Sequence, residues 1–423
     1  MTAAPAIKGW CPTLLSPMQS GDGWLARVKP TASTVTAAAA RLIAGAARRH
    51  GNGHIDLTSR ANFQLRGLTP RSAELLAELI VGAGLASANP AVEAARNVMA
   101  SPLGPDDATA SFDSHALARE IESMLGAEPG LRSLPPKFGV LVDGGGALPL
   151  ADVTADIMVR ADGAGLSVQL DGGTHAAHCS PSTLAETVKP LAVAFLHLAC
   201  DRREPPRRMY ALVRDVGEGA IFESAGLIPT PMADSPGTAQ ARSPIGFVSI
   251  PASAKGCFGV GLPFGRLEAG ALSKLADLSE RFGDGSLRTR PWRALLLPGV
   301  ADADSKDLRD EVTALGLIAD PSDRRLHIFA CVGAPCCGCA SVDARGDASR
   351  LASVTATTGA CTIHVSACAK SCAHRGSAAL TLVGRDGLYD LIRNGSAGDR
   401  PALTGLSIGQ VEALLQSAEG LGS

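Results

Sequence analysis

Net charge is the first thing missing from this chain. Its 423 residues hold 39 Lys and Arg against 41 Asp and Glu, a formal balance of −2. No global field draws it to nucleic acid or to an anionic membrane, so any basic site has to be local. A long apolar run is missing too: no stretch reaches the roughly 18 uninterrupted apolar residues of a membrane span. Met1 to Ser20 holds short apolar runs broken by Lys8, Pro12 and Pro17, a pattern of neither a secretory leader nor an anchor. These absences predict a cytoplasmic protein. Also absent is a strand-to-helix Gly-x-Gly-x-x-Gly. The nearest match, Gly259 to Gly265, is one residue too long and carries Pro263 where a helix should open, so no dinucleotide site is expected.

What is present is a folded composition, 46% hydrophobic and 19% charged, enough for roughly two to four compact units. An internal repeat organises it. Gly51 and Gly283, Gly67 and Gly299, and Gly84 and Gly316 are each separated by the same 232 residues. Each copy has a helix before its Gly-x-Gly turn, over 32–49 and 267–282, then extended sequence over 55–68 and 287–300. A second helix follows, with Thr69 as cap and Pro70 at its first position in one copy, and Asp304 or Ser305 capping Leu308–Leu315 in the other. That order is half of a split strand-helix-strand unit. Residues 133–172 read as strands and turns, including one at Asp162-Gly163-Ala164, and an apolar helix interrupted by Pro190 follows over 183–200. The Pro- and Ser-rich segment 228–244 places a cut near 235. A hairpin is expected over 378–392 and a last helix over 408–415.

Eleven cysteines are present, and seven crowd between positions 331 and 372. Such crowding in a chain with no leader favours metal or redox chemistry over disulfides. Cys11, Cys179, Cys200 and Cys257 are scattered and read as small buried hydrophobes. Around the first group the sequence is Cys331-Val332-Gly333-Ala334-Pro335-Cys336-Cys337-Gly338-Cys339; around the second it is Cys368-Ala369-Lys370-Ser371-Cys372. Two clustered pairs supply four thiolates to an iron-sulfur cube, with either Cys336 or Cys337 able to serve. Structural zinc is the rival ligand, although its cysteine pairs usually stand closer together.

A pair with five residues between its members, followed by a pair with three, resembles the cluster signature of the sulfite and nitrite reductase superfamily. The resemblance implies a 4Fe-4S cluster on Cys331, Cys337, Cys368 and Cys372, leaving Cys336, Cys339 and Cys361 without a ligand role. Three basic segments are similar to that superfamily's tetrapyrrole-carboxylate and anion motifs: Arg60 with Gln64 and the nearby Arg66, then Arg96-Asn97, then Lys137. Arginine's planar fork suits carboxylates and lysine adds a compact charge, although any one of these residues alone would more often be a solvated surface charge. Gly139 stands where a second lysine is expected, and Trp292 where the second copy would repeat Arg60. The implied fold is α+β, a pseudo-twofold duplication with ferredoxin-like half-domains over 1–90 and 235–320. Two α/β domains complete it, a tetrapyrrole-binding one over 91–234 and a cluster-bearing one over 321–423.

Within the superfamily, Gly9-Trp10-Cys11-Pro12, Leu134 to Gly139 and Cys368 to Gly384 most resemble the tetrapyrrole monooxygenases of aerobic cobalamin synthesis. That branch implies a polycarboxylate tetrapyrrole as substrate, held by Arg60, Gln64, Arg66, Arg96, Asn97 and Lys137, and dioxygen as co-substrate. The product would carry a hydroxyl at C-20 and a lactone closed by the ring-A acetate. Electrons from NADH would arrive through a partner reductase or ferredoxin. A non-haem iron is also implied; His54, His364 and His374 are the histidines nearest the motifs, and no catalytic residue is assigned. The alternatives are a sulfite or nitrite reductase carrying sirohaem, with Cys372 bridging cluster and haem iron, and a zinc-stabilised binding protein.

Overall fold

The computed structural model describes residues 11–162, 165–200, 202–232, 244–291, 293–354 and 362–417. Gly9-Trp10, the tip of the turn at 163–164, the cut near 235, Trp292 and Cys361 lie outside the described residues.

The first unit runs β1 (Met18–Ser20), β2 (Gly23–Val28), β3 (Thr34–Thr36), α1 (Ala37–His50), β4 (His54–Leu57), β5 (Phe63–Leu68) and α2 (Pro70–Gly82). Helix α1 starts five residues later than the apolar spacing predicts, because Thr34–Thr36 is drawn into a sheet; the Thr36 hydroxyl then caps the helix on Ala39 N. Its Ala40, Ile43, Ala44 and Ala47 form the buried stripe. Thr69 caps α2 in a capping box with Ser72, and Pro70 opens it as expected.

The second unit holds α3 (Pro90–Ala95), β6 (Val98–Ala100), α4 (Ser114–Ala127), β7 (Val140–Asp143), β8 (Ile157–Asp162), β9 (Gly165–Leu170), β10 (His175–Cys179), α5 (Leu184–Cys200), α6 (Met209–Val216), α7 (Glu218–Ser224) and β11 (Thr230–Pro231). Strands β6, β7 and β8 are parallel, and β9, β10 and β11 continue the sheet antiparallel. Helix α5 runs through Pro190 without a break, and its Leu184, Val188, Leu191 and Phe195 fill the domain core.

The third unit repeats the first: β12 (Gly246–Val248), β13 (Gly256–Gly261), β14 (Arg266–Glu268), α8 (Ala269–Phe282), β15 (Ser286–Arg290), β16 (Ala294–Val300) and α9 (Ser305–Ala314). The fourth repeats the second: β17 (Ile328–Ala330), α10 (Ala344–Val354), β18 (Ile363–Ser366), β19 (Ala378–Arg385), β20 (Leu388–Gly395), β21 (Leu403–Leu406) and α11 (Ile408–Gln416). Here β17, β18 and β19 are parallel and the hairpin β19–β20 leads to antiparallel β21.

The two half-domains lend each other a strand. β3 of the first pairs with β15 of the second, and β14 of the second pairs with β4 of the first. One apolar core spans both sheets and includes Ile43, Phe63, Leu65, Leu275 and Leu297. The repeated glycines have a steric reason: a Cβ on Gly51 would stand 2.3 Å from Arg66 O, and one on Gly283 would stand 2.5 Å from Pro298 O.

Candidate functional site

Cys331 follows β17 and Cys368 follows β18, at the carboxyl ends of parallel strands, where open α/β sheets gather ligands. Gly333 turns the first loop at φ 72°, and a Cβ there would stand 2.5 Å from Ala344 N. Cys331 Sγ accepts from Ala367 N at 3.2 Å, tying the two loops together. Burial is the main force raising the thiol pKa values of Cys331, Cys337 and Cys372, and the cysteines themselves add to it. Each of these three is raised further by Cys368, while Cys331 and Cys337, and Cys372 with both of them, disfavour each other's charge. All four sulfurs are therefore within electrostatic reach of one another. Cys336 points elsewhere: its thiol interacts with Asp22 and Arg266, and its carbonyl accepts from Gly21 N, Ser20 Oγ and Arg66 Nη2.

Among the described residues, no three His, Cys, Asp or Glu side chains converge closely enough to share a single metal ion. Four cysteines carried on two neighbouring loops are the donor type that a four-iron cube takes, each thiolate meeting a different iron. A mononuclear iron site is not assembled by the named histidines: His54 pairs with Glu268 at 2.8 Å, while His374 stacks on Phe329 and meets buried His364 edge-on at 5.8 Å between ring centres.

Beneath the cysteine loops lies a buried belt of arginines. Asp56 Oδ1 accepts from Arg266 Nε and Arg345 Nη1, both at 2.8 Å, and its Oδ2 lies 3.5 Å from Arg66 Nη1. Burial alone would raise the Asp56 pKa, but Arg345, Arg266 and Arg66 outweigh it and hold the carboxyl at about 2. Arg293 donates to Ala373 O at 3.1 Å and feels Cys331. Fixed cations at this position favour the negative charge of a thiolate-bound cluster.

A cavity of about 700 Å³ opens beside the loops. Cys337 and Cys339 form one wall; Arg27, Lys137, Arg207, Arg208, Lys370 and Arg375 supply six cations, and no carboxylate lines it among the described residues. Lys137 lines this cavity. Arg60 stands just behind, in the walls of two smaller cavities, and donates through Nη2 to Lys137 O at 2.6 Å. Gln64 is buried and positions Arg27 by accepting from its Nε at 3.1 Å. Asn97 shares the smaller cavities and accepts from Lys29 Nζ at 3.0 Å.

Two assignments are corrected. Arg66 is 2% exposed and grips Asp22 with two nitrogens at 2.9 and 2.7 Å, so its fork is unavailable to a ring carboxylate. Arg96 is neutralised by buried Glu93 at 2.9 Å and spends its other donors on Thr31 and the Lys29 carbonyl. Five cavity cations, Arg27, Arg207, Arg208, Lys370 and Arg375, escaped the sequence reading. Lys370 could have been found between Cys368 and Cys372, and Arg207-Arg208 in a basic run starting at Arg202.

Four sheets in this order, with exchanged strands and a cysteine loop facing a basic cavity, define a protein of the nitrite and sulfite reductase class. Both half-domains match the nitrite/sulfite reductase ferredoxin-like half domain, at residues 16–81 and 253–315. The solved NirA protein of Mycobacterium tuberculosis shares the fold, with a TM-score of 0.76 at 20% identity over 93% of this chain and 79% of that one. A ferredoxin sulfite reductase of Mycobacterium tuberculosis is 24% identical over 349 residues, 78% of this chain and 62% of that protein. A precorrin-3B synthase of Sinorhizobium sp is 31% identical over 407 residues, 95% of this chain and 86% of that protein. The chain belongs to the precorrin-3B synthase family.

Proposed function

We propose that this chain is a cytoplasmic precorrin-3B synthase, a monooxygenase that hydroxylates precorrin-3A at C-20 with closure of the ring-A lactone. The observation that carries this reading is the large cavity with six cations, and no carboxylate among the described residues, placed against Cys337 and Cys339. A tetrapyrrole with many acid side chains matches such a wall, because charge-assisted hydrogen bonds from Arg and Lys fix each carboxylate. Cys331, Cys337, Cys368 and Cys372 would hold the 4Fe-4S cluster, which supplies electrons singly when bound. Lys137, Arg27, Arg207 and Arg375 orient the ring, Arg60 and Gln64 hold Lys137 and Arg27 in place, and Arg208, paired with buried Asp156 at 2.9 Å, adds its charge to the wall. Electrons derived from NADH come through a partner reductase or ferredoxin.

The alternative, sulfite or nitrite reduction on sirohaem, is less well supported by this chain's own residues. Gly139 removes one anion-holding charge, and Arg96 is already satisfied by Glu93. The test is aerobic incubation of the anaerobically purified protein with precorrin-3A and a reductant. A product heavier by one oxygen is expected; conversion without dioxygen excludes the monooxygenase.

A further inference from the structure

Two smaller cavities lie behind the large one. A space of about 200 Å³ shares Cys11, Pro12, Arg27 and Pro136 with the large cavity. A second, of about 20 Å³, shares Lys29, Arg60, Asn62 and Asn97 with the first and reaches Glu122. That last space has room for about one water. Two neighbouring spaces, the inner one water-sized, thus separate the ring cavity from a carboxyl buried on α4.

Glu122 is 8% exposed and lines the water-sized cavity, as Lys29 does. Lys29 Nζ donates to Glu93 O, Ala94 O and Asn97 Oδ1, so each ammonium hydrogen is held, while burial lowers its pKa to about 8. Arg96 stands 3.7 Å from Glu122 and is bonded to Glu93, and an arginine keeps its proton. Glu93 accepts from Arg96 and from Ser87 N through Oε2 alone, and its buried Oε1 has no hydrogen-bond partner among the described residues. Of these two carboxyls, Glu122 is the one that lines the cavity. Burial first, and then Glu93, push its carboxyl up, against Arg96, Lys29 and the Thr31 hydroxyl, to about 7. A general acid works best with a pKa near the operating pH.

We propose that Glu122 stores the proton used in oxygen reduction and passes it to the ring cavity through water in the two smaller cavities. This rests on the monooxygenase reading. In that reaction one atom of dioxygen enters the substrate and the other leaves as water, consuming two electrons from the donor and two protons. Glu122 releases a proton to the adjacent water, the water file hands one on at the ring, and the carboxylate recovers a proton from solvent before the next transfer. Arg96 and Lys29 stabilise the carboxylate left behind.

The test uses the full-length protein and the variants E122Q and E122D. Infrared difference spectra of the resting protein should show a buried carboxyl titrating near pH 7, absent from E122Q; its absence from the wild type overturns the proposal whatever the substrate is. In turnover, E122Q should be about a hundredfold slower at unchanged KM and lose the wild-type fall in rate above pH 7, and E122D should restore both. A wild-type rate and pH profile in E122Q also overturn it. Failure of the wild type to convert precorrin-3A, with the infrared band present, counts against the monooxygenase reading instead.

Discussion

Arg66 on β5 donates to the carbonyl oxygen of Cys336 across 2.8 Å, so the first half-domain grips the backbone of the cysteine loop directly. The same guanidinium holds Asp22 by two nitrogens, which makes it a strut between the half-domain and the loop. Arg66→Lys keeps the charge but loses the fork. We expect a loss of about 3–5 kcal/mol on Arg66→Ala, which strands half-buried Asp22 and takes one cation from buried Asp56, and a smaller loss for lysine. Urea unfolding checks both, and iron content per chain should fall in the same order.

Asp56 is the anionic centre of three arginines from three different units. Its folded pKa, about 2, lies below the ordinary 3.8. A depressed carboxylate stabilises the fold above its unfolded pKa and loses that contribution as the pH falls through the folded one. Wild-type stability should therefore drop by about 2 kcal/mol between pH 3.8 and 2 from this group. Asp56→Asn should lack that drop and be less stable at neutral pH, as followed by acid titration of the circular dichroism signal.

Replacing Cys368 or Cys372 with serine should abolish iron and inorganic sulfide in anaerobically purified protein. Cys336→Ser should retain both, because its thiol faces Asp22 and Arg266 rather than the other sulfurs. Loss of the cluster in Cys336→Ser alone would reverse the assignment.

The cations of the large cavity predict salt-sensitive binding. Lys137→Ala and Arg375→Ala should each weaken tetrapyrrole binding by about tenfold or more, since a hydrogen bond to a charged group contributes about 1.5–3 kcal/mol. The slope of affinity against ionic strength should flatten in both, measured by fluorescence quenching of the bound ring.

Much of this architecture was readable in the residues because the repeat is punctuated by glycines that only a close backbone approach or a positive φ requires. Gly51, Gly67 and their partners mark the same turns in both halves. The strand exchange was not readable: β3 and β14 are three residues each, too short for alternation to show, and their partners lie more than 200 residues away. Residue type singled out the cysteines and Lys137 as candidates but not what each arginine touches. Arg66 and Arg96 match a basic motif as well as Arg60 does, yet tertiary contacts give each a carboxylate of its own. Spacing alone leaves Cys336 and Cys337 open, because neighbouring identical residues do not reveal which way the turn between them faces.

The loan of β3 for β14 makes each half a debtor to the other. A fragment ending near residue 232 would expose the bare edge of β4 and an idle β3, while its missing counterpart would offer the complementary pair. Coexpressed as separate polypeptides, the two pieces should find each other and rebuild the enzyme, whereas either one produced alone should stick to copies of itself.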